Sequence, residues 1–120
     1  MINLRKALIS YLKGIHPRVF YQAAPDKAVY PYIVVNFPNS SDDGEFQELF
    51  ILDIDGWDRT GDTTTLENLM VSINGLNKKT LMADDLAVTF YLDRKLALTD
   101  PEPLIKRRKY IYQARLYKRE

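Results

Sequence analysis

Carboxylates are the side chains whose number and spacing in this sequence could support chemistry. Eight of the 16 acidic residues fall within 21 positions: Asp42, Asp43, Glu45, Glu48, Asp53, Asp55, Asp58 and Asp62. Clustered carboxylates are the oxygen ligands that a hard divalent cation prefers. Asp53 and Asp55 are two residues apart in an apolar run, so a strand there would place both on one face.

These aspartates allow two interpretations. With Asp93 as a third oxygen donor, Asp53 and Asp55 could form the metal site of a nuclease. However, no lysine or histidine accompanies them at a recognisable spacing. Asp58 and Asp62 stand where turns and helix caps favour aspartate, and the pair at 53 and 55 could instead meet arginines across a sheet or a subunit boundary.

The C-terminal part of the chain has the opposite charge. Nine basic residues lie between Arg94 and Glu120, against three acidic ones. The run from Lys106 to Lys109, followed by Tyr110 and Tyr112, could be a nucleic-acid patch, because cations hold phosphates and aromatic rings stack on bases. The interpretation we favour over that patch is a solvated loop and a charged edge strand. In a third interpretation, the basic segment of one copy meets the acidic segment of the next in a head-to-tail ring.

Composition excludes several classes of function. The chain has no cysteine, so thiolate metal sites and cysteine nucleophiles are absent. Its single histidine, His16, precedes Pro17 near a helix end, where a packing role is expected. A net charge of +1 argues against a strong general affinity for phosphate, and no apolar run reaches the length of a membrane span. We therefore expect neither an enzyme nor a bound cofactor or metal.

Hydrophobic periodicity predicts an α+β fold in a single domain covering residues 1–120. The antiparallel or mixed sheet should have four to five strands, with two helices packed on one face. Gly56 suggests a bulge or a close backbone approach, and Asp62 or Thr63 should cap the second helix. The predicted helices span 2–13 and 62–75. The predicted strands span 19–21, 32–37, 46–57, 86–92 and 109–117. A polar connection is expected at 77–85, and long loops are expected at 38–46 and 94–108.

Two short sequences within this layout resemble a known family. They are YPYIV, starting at Tyr30, and IDGWDR, starting at Ile54. Together with the leading helix and the final strand after a long loop, they are similar to the tail-completion proteins of long-tailed bacteriophages and prophages. These are also called tail terminators or tail-to-head joining proteins. The resemblance extends from Leu4 to Leu116.

The resemblance implies a structural protein that forms a ring, usually a hexamer. Such a ring caps the tail tube at the head-proximal end of the virion tail, after assembly in the host cytoplasm. Its partners would be other copies of itself, the tail-tube protein and the head connector, with DNA passing through the lumen without sequence recognition, and no membrane. The alternative is a small nucleic-acid-binding α+β domain that uses the basic C-terminal segment. We expect interface residues in the two long loops: Asp42, Asp43, Glu45, Phe46, Lys95, Lys106, Arg107 and Arg108.

Overall fold

A computed structural model describes residues 2–38, 49–83 and 86–118. It has the predicted α+β composition. Neither helix in this described part combines the length and apolarity needed to cross a membrane. The elements are α1 (Ile2–Lys13), β1 (Val19–Tyr21), β2 (Tyr32–Asn36), β3 (Leu49–Arg59), α2 (Thr64–Ile73), a 3₁₀ turn (Asn74–Leu76), β4 (Thr80–Ala83), β5 (Leu86–Thr99) and β6 (Ile105–Lys118).

The strands form one mixed sheet in the order β1-β2-β3-β6-β5-β4. β1 and β2 run parallel, and every other neighbouring pair is antiparallel. The prediction of four to five strands was therefore too low, since the described residues alone form six. β6 lies in the middle, paired along β3 from Leu49↔Arg115 to Arg59↔Ile105.

One face of the sheet carries the core, and both helices pack against that face. Strand side chains alternate between the two faces, so even-numbered residues of β3 and β6 point toward the helices. α1 contacts both β1 and β4, the two outermost strands, because the sheet curls around it. Fully buried core residues from helices and strands include Leu4, Leu8, Leu12, Ile33, Leu52, Ile54, Leu66, Met70, Ile73, Phe90 and Tyr112.

Two segments predicted to be irregular are strands. Residues 94–108 form most of a hairpin, with only 100–104 outside strands β5 and β6. The two prolines, Pro101 and Pro103, lie in the turn, where they interrupt no ladder. The polar connection 77–85 contains β4, which pairs with β5 from Thr80↔Thr89 to Ala83↔Leu86.

Gly56 of β3 lies directly beneath two side chains of α2, Met70 and Leu66. The β3–β6 register is continuous through it, so the predicted bulge is absent. A Cβ atom at this position would lie 2.5 Å from Met70 Sδ and 3.0 Å from Leu66 Cδ1. The predicted close approach is therefore confirmed. At the start of α2, Thr63 is the N-cap residue but its side chain makes no capping bond, and Asp62 Oδ1 accepts the backbone N–H of Thr64 at 2.9 Å.

Candidate functional site

The face of the sheet opposite the helices carries an ion-pair network that joins β3 to β6. Arg107 Nε donates to Asp55 Oδ1 at 3.0 Å. Lys109 Nζ lies 3.6 Å from Asp53 Oδ2 and 3.8 Å from Asp55 Oδ2. The hypothesis that the two aspartates meet arginines across the sheet is confirmed for Asp55, which binds Arg107, whereas the cation beside Asp53 is a lysine, Lys109.

Burial and the neighbouring cations shift the pKa of Asp55 in opposite directions. Its side chain is only 11% exposed, and this burial raises the pKa of the carboxyl above its ordinary value. The nearby Arg107 and Lys109 act against that rise without cancelling it. The cations therefore stabilise a carboxylate that its surroundings disfavour.

The three aspartates proposed for a nuclease are not brought together. Asp93 is exposed on β5, at the register irregularity between Leu92 and Arg94, and β6 separates it from β3. Within residues 2–38, 49–83 and 86–118 no group of three or more histidine, cysteine or acidic side chains could hold a metal ion. Asp53 and Asp55 instead have cationic partners, so the geometry gives no support to metal-dependent cleavage.

An aromatic stack adjoins the ion-pair network. The Arg107 guanidinium lies 4.6 Å from the centroid of the Trp57 ring. Trp57 stacks on Tyr32, with ring centroids 6.3 Å apart and an interplanar angle of 18°. The ring centroid of Tyr30 lies 5.2 Å from that of Tyr32. Beside Trp57 and Arg107 is an open hollow of about 210 Å³. Tyr, Trp and Arg are the residues that dominate protein interfaces, so this half-buried stack is a candidate contact surface.

The basic run at the start of β6 does not form one patch. Strand alternation divides its four side chains between the two faces. Arg107 and Lys109 bind the aspartates of β3, whereas Arg108 on the helix side pairs with Glu67 of α2. Lys106 donates to the Pro103 carbonyl oxygen at 2.7 Å. A nucleic-acid surface would need these cations side by side, so the geometry weakens that alternative.

The end of the β5–β6 hairpin, residues 95–105, is called the hairpin end below. It places one predicted interface residue on an exposed surface. Lys95 is exposed and lies over the Tyr110 ring, 5.1 Å from its centroid. Leu96 and Leu104, in the same hairpin, expose 36% and 43% of their surface. Arg59 pairs with Glu102 and ties the turn to the end of β3. This end of the molecule therefore combines apolar and cationic side chains on a supported strand pair.

The other predicted interface residues lie outside the described residues: Asp42, Asp43, Glu45 and Phe46. That this loop makes contacts with partners therefore stays a prediction.

His16 has a structural role in the chain. Its Nε2 atom lies 2.8 Å from the Pro31 carbonyl oxygen. The Nε of Arg18 donates to the same oxygen at 3.0 Å. Both side chains thus hold the segment before β2 in place, as expected for a packing histidine.

Comparisons with known proteins identify the fold. No protein-family model matches the sequence, and no curated protein matches it. Among solved structures, a chain from the virion of a native gene transfer agent particle superposes with a TM-score of 0.71. The two share 14% identity, over 95% of this chain and 94% of that one. A second solved chain gives a TM-score of 0.68 at 13% identity, over 99% and 94% of the respective lengths. This chain thus shares its fold with each of the two solved chains over nearly the full length of both partners in each comparison.

Proposed function

We propose that this protein is a structural component of a phage or phage-like virion, and that it completes the tail. In this role it forms a hexameric ring at the head-proximal end of the tail tube and joins the tube to the head connector. The observation that carries the proposal is the full-length fold likeness to a chain of a gene transfer agent virion. The sequence resemblance to tail-completion proteins points to the same role.

The described surfaces support an assembly role rather than catalysis. The carboxylates of β3 are held by cations of β6, and the basic run is divided between two faces. Two of the features available for contact in the described residues are the aromatic stack around Trp57 and the hairpin end with Leu96 and Leu104. Such features recognise a partner by shape and apolar burial. DNA in the lumen would make at most weak, salt-dependent contacts.

The proposal is tested with tail tubes assembled from the tail-tube protein encoded in the same genome. Added protein should stop tube growth, and electron microscopy should show a ring at one end of each tube. The ring should then allow connector-bearing heads to attach. If tubes keep growing and no ring is seen at stoichiometric excess, the proposal is wrong.

The hairpin end offers a sharper test of which surface makes the contact. Leu104→Glu places a charge on a 43% exposed apolar position without disturbing the core. Val71→Glu is the matched control, because Val71 is 67% exposed on α2. We expect Leu104→Glu to abolish head attachment or tube capping and Val71→Glu to retain both, with unchanged melting temperatures. Equal activity of the two variants would exclude the hairpin end as a contact.

A further inference from the structure

The outer surface of α1 forms a basic hollow with an apolar floor. Ile9 and Tyr21 form the floor, and Arg5, Lys6 and Lys13 surround it. The hollow measures about 370 Å³ and is also lined by Ser10. α1 contains no acidic residue, so no carboxylate on the same helix offsets these three cations. The name α1 groove is used below for these six residues.

The cations of the α1 groove have no carboxylate partner in the part of the chain that the structure describes. Every ion pair found there involves Arg59 or a cation of β6. Arg5 is held over the Tyr21 ring, 4.6 Å from its centroid, and Lys6 and Lys13 are exposed. The α1 groove therefore combines an unneutralised positive charge with room for an apolar side chain.

The same chain carries a segment with the complementary chemistry. Residues 39–48, called the acidic segment below, have the sequence NSSDDGEFQE, with four carboxylates and no base. Phe46 is its single aromatic residue. An acidic stretch around one aromatic ring matches a basic rim around an apolar floor in both charge and polarity.

We propose that the α1 groove of one copy binds the acidic segment of a second copy. In this contact Phe46 would enter the apolar floor and the carboxylates would face Arg5, Lys6 and Lys13. A ring built head to tail needs two different, complementary surfaces on each subunit, and this chain has both while staying near neutral overall. The inference rests on the proposed ring and names the contact that closes it.

Disulfide trapping tests the contact directly, because the natural chain has no cysteine. The variant Ser10→Cys/Ser41→Cys places one thiol in the α1 groove and one in the acidic segment. Mild oxidation of the full chain should give a ladder of covalent multimers that ends at the ring. The matched control is Val71→Cys/Ser41→Cys, whose groove-side thiol is moved to an exposed position on α2. It should remain monomeric on a denaturing gel.

Each other outcome of the trapping experiment overturns the inference. An internal disulfide within one monomer would show that the segment binds its own α1 groove. Multimers formed equally by both double variants would show random collision. Absence of any disulfide would show that groove and segment do not meet. These failures leave the proposed function standing if the natural protein still caps tail tubes, so the two can be separated.

Charge reversal gives a second, independent readout. Lys6→Glu/Lys13→Glu reverses the α1 groove, and Asp42→Lys/Asp43→Lys/Glu45→Lys reverses the acidic segment. Each variant alone should self-associate about tenfold more weakly or worse. An equimolar mixture should recover rings, because alternating subunits restore opposite charges at every contact of an even-membered ring. Rings retained by either variant alone, or no recovery in the mixture, would contradict the proposed contact.

Discussion

Replacing Gly56 with alanine tests how tightly α2 is packed on β3. The added Cβ would lie 2.5 Å from Met70 Sδ and 3.0 Å from Leu66 Cδ1, whereas comfortable contacts between such atoms are about 3.5–4.0 Å. Met70 and Leu66 are fully buried, so neither side chain can move into solvent. We expect a loss of about 1–3 kcal/mol in the free energy of unfolding, or about 4 °C in melting temperature per kcal/mol.

Urea denaturation followed by Trp57 fluorescence would measure this loss. Gly61→Ala is the matched control, since a Cβ there meets no atom within 4 Å, and it should be neutral or slightly stabilising. Adding Met70→Ala to Gly56→Ala should cost less than the sum of the two single changes, because the clash is then removed. If Gly56→Ala were as stable as Gly61→Ala, the close approach of α2 would be refuted.

Three further changes test the polar contacts. Arg107→Ala should lower the free energy of unfolding by about 1–2 kcal/mol, because it leaves the nearly buried Asp55 without its closest cation. The control Lys106→Ala should change that free energy by less than about 0.5 kcal/mol. Denaturant melts of the two variants measure the difference. Burial raises the pKa of Asp55, so the folded chain holds that proton more tightly than the unfolded chain. Stability should therefore fall as pH rises through the interval just above pH 4, and Asp55→Asn should remove that slope in melts from about pH 3 to pH 6. Tyr112→Phe deletes the 2.8 Å hydrogen bond to Asn74 Oδ1 and should cost about 1 kcal/mol by calorimetry; an unchanged melting temperature would contradict it.

Local sequence patterns predicted the elements whose signals are confined to one segment. Apolar residues at helical spacing predicted both α1 and α2, and the apolar run before Gly61 predicted β3. β4 escaped prediction because it has only four residues, next to two lysines. The strand extensions at 94–99 and 105–108 escaped because charged residues and two prolines suggested a loop, although Leu96 and Leu98 alternate as strand residues do.

The candidate site depended on pairing that no local pattern contains. Asp55 and Arg107 are 52 positions apart, and their contact exists only because β6 enters between β3 and β5. The sequence indicated that Asp53 and Asp55 needed partners, but it could not choose between a metal, another subunit and β6. The division of the run at Lys106–Lys109 was accessible in principle, since a strand alternates its side chains. Assigning residues 106–108 of that run to a loop concealed the alternation.

The position of β6 also affects how the chain is made. β6 leaves the ribosome after every other described strand, yet it occupies the middle of the sheet and joins β3 to β5. Until it emerges, no strand can join the β1-β2-β3 group to the β5-β4 pair, so the sheet cannot be complete. The complete sheet can therefore form only after β6 has been synthesised. Such long-range pairing makes folding slow and leaves intermediates prone to aggregation, so stalled or shortened chains should be cleared by proteases before they can reach an assembling particle.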